Sequence, residues 1–537
     1  MLAPSLLLGT LISHSSPHNL TWSAQFAEQF RAGILYPRWM PQSFDGLGSP
    51  AFYFYPPLSF WLDGLVDTVT FGALPTSYRL ALSSLLLMWA SGLTMRAWLA
   101  RETGTRTAPL VGAIAYMAAP YHLLDLFVRG AFAEFAGYAV LPLLMLAIRR
   151  LADRPRAAPV LLAVAYAALL LTHLPTALLT SVAVIPPYIL FRAWRMGERR
   201  MAAGFLLRAA AGGVLGIGLA ALYLAPALSL QDAISSEQLW TPFFRAENWL
   251  LLAPERWPEP VLMPMVLSYA LAAATLSVGL CIVLLGMKLE DPARFELGIW
   301  VAICLLCLVL MSGVLPWVWQ VPLLAKVQFP WRILAAVEFA AITALCLAPL
   351  RGLRRRVSYV FIAAAVFIAA AVALGPGVVM MLNDTWVRIT VAQSGGTRSP
   401  RDTKEYLPPG YPQVSAPDQL GLEPLEDVPL MACTPAASIC RTESGSFGAL
   451  RIEVDNTVPT NVVLRRFVFP AWRLDGPMVI VPTDKYRLIS FVVPAGHITV
   501  RLQRVTLPAE QWGLAISSVS LALLLAAAAF NARRSTR

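Results

Sequence analysis

Apolar residues run through this chain in long blocks separated by short clusters of arginine. Blocks near 78–100, 108–127, 131–149, 158–172, 174–193, 207–229, 263–287, 296–315, 332–350, 357–382 and 511–531 each read as a helix entering or crossing a bilayer, whose hydrocarbon core is about 30 Å thick. Residues 1–13, MLAPSLLLGTLIS, are apolar but too short to span by themselves. They read as the tail of a first helix, giving about 11–12 spans in all.

Two stretches break this pattern. Tyr36 to Leu62, YPRWMPQSFDGLGSPAFYFYPPLSFWL, is rich in aromatics and prolines and has no helical period. Fixed backbone angles and unpaired peptide groups cannot lie bare in lipid, so this stretch is expected to fold over a cavity at the membrane surface. Residues 383–510 are polar: their first half reads as irregular, and from Leu450 the runs LRIEVDN, TNVVLRRFVF, RLISFVVPAG and HITVRLQRV read as strands. The expected organisation is a membrane domain over 1–382 with an outward loop at 14–77, a β-rich domain over 383–510, and a last helix with a basic tail over 511–537.

Composition agrees: 57% of the 537 residues are hydrophobic, 14% are charged and the mean hydropathy is +0.62. Ordinary soluble domains hold about 25% charged residues. The net charge of +11 raises nucleic acid as a partner, but the arginines sit in short loops between apolar blocks. That distribution marks membrane topology and excludes nucleic-acid binding. Alternating the spans puts Arg101 and Arg106, Arg149 to Arg156, Arg192 to Arg200, Arg351 to Arg356 and Arg533 to Arg537 on one side, the cytoplasmic one. The Tyr36–Leu62 stretch and 383–510 then face outward. Cys433 and Cys440 lie in the outward polar segment, where a disulfide could close the loop between them and would suit an oxidising compartment.

The motifs RAGILYPRW, GLGSPAFYFYPPLSFWL, RGAFAEFAGYAVLPLL, VQFPWR, KEYLP, FVFPAWRLDG and VVPAGHITVRL resemble the bacterial membrane proteins labelled 6-pyruvoyl-tetrahydropterin synthase-related. These in turn are similar to the YfhO-type membrane proteins and to the GT-C superfamily of lipid-linked sugar transferases. The resemblance implies a GT-C-like helical membrane fold with a periplasmic β-sandwich, placed in a bacterial inner membrane. It implies transfer of a sugar from a polyprenyl phosphate carrier to an envelope glycan, lipid or protein, by inversion in one step. A divalent metal is an optional cofactor of such relatives, with ligands that cannot be assigned here. The rival reading is a non-catalytic binder or transporter of lipid-linked glycans. The synthase activity in the label is not carried over, because the five histidines are scattered and form no zinc-ligand cluster.

Such a transfer needs a general base for the acceptor hydroxyl and cations for the departing phosphate. The family's first loop usually places an acidic residue after a histidine, and here Ser15 follows His14. Asp45 is the nearest replacement, against the alternative of a turn residue in SFDG. Glu134 is the second candidate for catalysis, because a carboxylate entering a bilayer is costly unless it is paired or faces a cavity. It acts either as a base or as the partner of Arg129, with Asp125 adding to an acidic cluster. Arg38, Arg129 and Arg332 are the phosphate candidates, since a guanidinium offers forked donors. For Arg332 the alternative is snorkelling to headgroups. His14 and His18, at i,i+4 spacing, are candidates for substrate or metal binding. Tyr55 and Trp61, with the other rings of their stretch, are candidates to pack against a sugar. Asp63 and Asp67 read as a polar helix face at the interface, and His173 as a satisfied structural group. Glu237, Trp240 and Arg245 belong to a second outward loop that could close as a lid. Glu338 stands as the one carboxylate near mid-membrane.

Overall fold

The computed structural model describes residues 2–10, 13–154, 159–258, 262–288, 290–348, 402–411, 429–445 and 448–535. The expected span 357–382 and the basic cluster Arg351 to Arg356 lie outside the described residues. The helices are α1 (Ala3–Leu8), α2 (Ser16–Arg31), α3 (Ala51–Phe54), α4 (Leu58–Val69), α5 (Thr76–Thr103), α6 (Thr107–Met117) and α7 (Pro120–Leu124). They continue as α8 (Phe132–Asp153), α9 (Val160–Thr172), α10 (Leu174–Ala183), α11 (Ile185–Arg195), α12 (Arg199–Leu219), α13 (Ala221–Ser229), α14 (Leu262–Leu285), α15 (Pro292–Ser312), α16 (Pro322–Ala325), α17 (Leu334–Leu347) and α18 (Pro508–Ser535). Among the described residues, 9 helical stretches are long and apolar enough to cross a membrane. This is compatible with a multi-pass membrane protein. Val160–Thr172 is a shorter apolar helix, separated from α10 by His173 in extended backbone.

The stretch expected as an outward loop at 14–77 is largely helical instead. Its sequence SPHNLTWSAQFAEQFR is polar on average, but Trp22, Phe26 and Phe30 recur every fourth residue and two of them are fully buried. That spacing lays one aromatic stripe on a helix face. Among the described residues of the first thirteen, α1 forms over Ala3–Leu8.

Two ends of the bundle are defined by charge. At one, Arg101 and Asp153, Arg149 and Glu102, and Arg192 and Glu296 form ion pairs at 2.6, 2.7 and 2.9 Å. They tie the C-terminal ends of α5, α8 and α11 to the start of α15, and they bring together Arg101, Arg149 and Arg192 from three of the expected basic loops. The other end carries the β domain. The last helix, α18, returns against α12 and α13 through small residues: Ser517 Oγ donates to Gly218 O at 3.1 Å and accepts from Leu222 N at 2.9 Å.

The β domain is two four-stranded antiparallel sheets, in orders β1-β4-β7-β6 and β2-β3-β8-β5. The strands are β1 (Met431–Thr434), β2 (Ile439–Ser444), β3 (Leu450–Asn456), β4 (Thr460–Phe467), β5 (Trp472–Leu474), β6 (Val481–Pro482), β7 (Leu488–Val493) and β8 (Gly496–Arg504). It begins earlier than Leu450, because β1 and β2 are short and lack a clean alternation of apolar residues. The Cys433–Cys440 disulfide joins β1 to β2 and so links the two sheets. Ile452, Val454, Val462, Leu464, Ile489 and Phe491 point inward, each at most marginally exposed, as period-two alternation requires.

Tyr36 to Leu62 is the joint between this domain and the bundle. Met40 and Ser49 exchange backbone hydrogen bonds at 2.8 and 3.0 Å and close the stretch into a loop. Trp39 packs edge-on to Trp472 with ring centres 5.2 Å apart, Phe44 meets Phe467 at 5.7 Å and Tyr53 meets Phe469 at 4.8 Å. Phe467 N donates to Leu47 O at 2.9 Å. Gly48 lies so close under the Trp39 indole that a Cβ there would overlap the ring. Most rings of the stretch are therefore core between two domains rather than the lining of a cavity.

Candidate functional site

Three polar centres lie at the β-domain end of the bundle, and they differ in how far their charges are satisfied. In the first, Asp63 and Asp67 share a face of α4, as their spacing predicts, but that face is buried and not interfacial. Arg79, at the start of α5, donates from Nε to Asp63 at 3.0 Å and from Nη1 to Asp67 at 2.8 Å. Its Nη2 reaches Ser23 O at 3.0 Å and Ser23 Oγ at 2.8 Å. Burial pushes the Asp63 carboxyl up, while Arg79, Ser23 and Ser83 pull it down.

In the second centre, Arg38 pairs with Glu510 at 2.9 Å and donates to Leu222 O at 2.8 Å. Its guanidinium lies 3.8 Å over the Tyr36 ring. Arg38 is thus a clamp holding α18 and α13 to the joint.

The third centre gathers four of the expected site residues. A π-helical turn over Asp125–Arg129 ends at Gly130 in the left-handed conformation, where a Cβ would overlap Ser13 Oγ. The chain then enters α8, with Glu134 in its first turn. Arg129 Nη1 donates to Asp125 Oδ1 at 2.5 Å, to Glu134 Oε2 at 2.8 Å and to the Tyr121 hydroxyl at 2.8 Å. Tyr121 in turn donates to Glu134 Oε1 at 2.5 Å. Arg332, from the short turn before α17, brings Nε to 3.3 Å from the same Glu134 Oε2, and His173 Nε2 stands 3.9 Å from it. Exposure divides the group: the Glu134 side chain is 1% exposed, whereas Arg129 and Arg332 keep 11% and 13% open. The carboxylate is the closed floor, and the two arginine side chains are the more exposed members of the group. Arg332 is enclosed by Phe329, 4.8 Å below its guanidinium, so it does not snorkel.

Tyr55 is the residue of the joint that reaches this group. It packs 4.8 Å from Trp22, and burial pushes its hydroxyl up to about 12 against the pull of Arg332, with Glu134, Arg129 and Glu405 also in its field. Glu405 comes from the turn Lys404–Tyr406, which is anchored on both sides. Asp402 accepts from Trp22 Nε1 at 3.0 Å, and Ser235 N donates to Leu407 O at 2.8 Å. Tyr406 stacks on Phe54 at 6.1 Å. Glu405 is half-buried, and burial pushes its carboxyl up to about 7.

The remaining expected residues fall elsewhere. Asp45 sits in a left-handed turn, φ 53°, with its carbonyl accepting from Arg465 of β4 at 3.2 Å, apart from the arginine centre. Trp61 donates to Leu35 O at 2.8 Å and lines an apolar groove of about 410 Å³ with Leu58, Leu62, Ala136 and Val140. Ala136 and Val140 lie on the face of α8 away from Glu134, so Trp61 is not part of the arginine centre. His14 precedes the first turn of α2, so helical spacing does not pair it with His18, whose ring lies 6.0 Å from Trp22. His173 caps the break before α10, bonded to Thr176 at 2.8 Å. Glu237, Trp240 and Arg245 are exposed. Glu338 accepts from Tyr121 N and Tyr138 Oη, both at 2.6 Å.

Sequence reasoning did not single out Trp22 or Tyr121 as site residues. The every-fourth aromatic stripe of α2 signals Trp22. Among the described residues no group of three His, Cys, Asp or Glu is placed to hold a metal. Asp125 and Glu134 already share Arg129, so no step is derived through a metal. No family model matches the chain, and no curated protein is significantly similar to it.

Proposed function

We propose that this protein is a membrane glycosyltransferase that moves a sugar from a polyprenyl phosphate donor to an envelope acceptor, on the outer, periplasmic side of a bacterial inner membrane. The observation that carries the reading is that Arg129 and Arg332 converge on one carboxylate oxygen, Glu134 Oε2, while their side chains are 11% and 13% exposed. Two cations anchored this way are held in place before a phosphate arrives, so their charge costs little reorganisation when negative charge develops on the leaving group. Glu134 is reassigned from base to anchor: it is closed to any acceptor, and its oxygens are taken by Tyr121 and the two arginines. Tyr55 and Trp22, stacked beside the group, offer faces for a sugar ring.

Purified protein in lipid nanodiscs, supplied with labelled polyprenyl-phosphate-linked hexoses and pentoses and with isolated envelope lipids, is expected to release polyprenyl phosphate. Binding without release across the panel would instead support a lipid-linked glycan binder. That second reading draws on Ser15, whose backbone N–H bonds Arg129 O at 2.9 Å, so the position where the proteins this sequence resembles usually carry an acid lies beside the centre and holds only a hydroxyl.

A further inference from the structure

Glu338 lies in α17, inside an apolar span, where a carboxyl group is costly unless it is partnered. Its two oxygens take one hydrogen bond each, from Tyr121 N and from Tyr138 Oη, both at 2.6 Å. Helices can be joined at least as firmly by an apolar side chain of similar volume, so what sets this contact apart is its direction. Resting on the glycosyltransferase reading, we infer that Glu338 is a positioning residue, which sets the spacing of the Arg129 and Arg332 guanidiniums that take the donor phosphate.

Both bonds land on elements of the arginine centre. Tyr121 is the second residue of α7, where a backbone N–H has no acceptor within the helix, and Glu338 supplies one. The hydroxyl of the same Tyr121 donates to Glu134 Oε1 at 2.5 Å and accepts from Arg129 Nη1 at 2.8 Å. Tyr138 stands one turn after Glu134 on α8, on the same helix face. Its ring lies parallel to that of His122, the residue after Tyr121, with centres 3.9 Å apart. Glu338 and this stacked pair hold α7 against α8 one turn below Glu134.

Helix α17 therefore meets the centre twice. Its leading turn brings Arg332 Nε to 3.3 Å from Glu134 Oε2, and Glu338, further along the same helix, grips the segment that leads into Arg129. The contacts close a ring that runs from Glu134 to Arg332, along α17 to Glu338, and through Tyr121 back to Glu134. Arg129 and Arg332 meet on one shared oxygen of Glu134, a single point about which either side chain can swing. The second attachment removes that freedom. A phosphate bridging two guanidiniums binds best when their spacing is set before it arrives.

The test measures polyprenyl phosphate affinity of the full protein in nanodiscs, at matched folded fraction. Glu338→Ala is expected to weaken binding by about tenfold, within the range of coupling between residues of one network. Glu338→Gln should stay within about threefold of wild type, because its carbonyl can accept from Tyr121 N while its amide donates to the Tyr138 hydroxyl. In the Arg129→Gln, Arg332→Gln background, Glu338→Ala should change nothing further. Where Glu338→Ala does not fold, Tyr138→Phe decides, with a loss of about threefold that is likewise absent in that background. A merely structural role would lower the unfolding temperature and leave affinity per folded molecule unchanged, which would overturn the inference. A Gln variant as weak as the Ala variant, or an equal loss in both backgrounds, would overturn it too. With wild type still binding, these results leave the glycosyltransferase reading standing; a wild-type protein without affinity for polyprenyl phosphate would overturn both.

Discussion

Arg79 and Arg332 stand at the starts of two helices on the same end of the bundle, and each faces buried carboxylates. Arg79 donates from all three nitrogens, to Asp63, Asp67 and Ser23. Among the described residues Arg332 makes one hydrogen bond, from Nη1 to Val327 O at 2.9 Å, and its Nε has no partner of good geometry there. Among the described residues Arg129 likewise donates through Nη1 alone. A guanidinium carries five N–H donors, so with four hydrogen bonds from three nitrogens Arg79 is nearly saturated, and the second centre is not. Saturation makes Arg79 a clasp that holds α2, α4 and α5 together; the unused donors of Arg129 and Arg332 are what a ligand would complete.

The comparison breaks first at the clasp. Arg79→Met should leave Asp63 buried without a cation, with Asp67 keeping Arg31 at 2.7 Å, at a cost of about 3–5 kcal/mol, read as a large fall in thermal stability in detergent. A variant as stable as wild type would show that the network contributes nothing. Nearly as large is Trp39→Ala at the joint, where deleting a buried indole costs about 3–5 kcal/mol. Limited proteolysis should then release the β domain from the bundle; an unchanged cleavage pattern would count against the joint.

Arg332→Gln sharpens the other side of the comparison. It should weaken polyprenyl phosphate binding by about 1.5–3 kcal/mol, the value of a charge-assisted hydrogen bond, while moving the unfolding temperature far less than Arg79→Met. Equal losses of stability in the two variants would erase the distinction between clasp and site.

The smallest effect concerns pH. Glu405 has its carboxyl raised from an ordinary 4.5 to about 7 in the folded protein, so the folded state holds a proton that the unfolded chain has lost between those values. Its contribution to stability is fully present below about pH 4.5 and disappears as pH rises toward 7. Glu405→Gln should therefore raise the unfolding temperature at pH 8 relative to wild type and leave it nearly unchanged at pH 4, in thermal scans at the two values.

These contrasts also explain what the sequence could reveal. Glu134 and Arg129 are legible because charge inside an apolar block demands a partner. Arg332 is legible because a cation is unexpected at that end of a span. The spacing of Asp63 and Asp67 predicts a shared face, but not the arginine on the next helix that buries it. The rings of Tyr36 to Leu62 predict an ordered stretch, yet their partners Phe467, Phe469 and Trp472 lie some four hundred positions away. No local pattern encodes that pairing. Helix α2 is hidden by its polar average and visible only in the recurrence of Trp22, Phe26 and Phe30. Glu405 sits in a short turn with no periodicity at all, and its relation to Tyr55 exists only once two distant segments meet.

The most direct test of the central claim is the affinity of the purified protein for polyprenyl phosphate, compared with that of the double variant Arg129→Gln, Arg332→Gln at matched folded fraction. The account predicts binding by wild type that falls by about a hundredfold or more in the double variant, in line with two lost charge-assisted contacts. Equal affinity in the two proteins would contradict it.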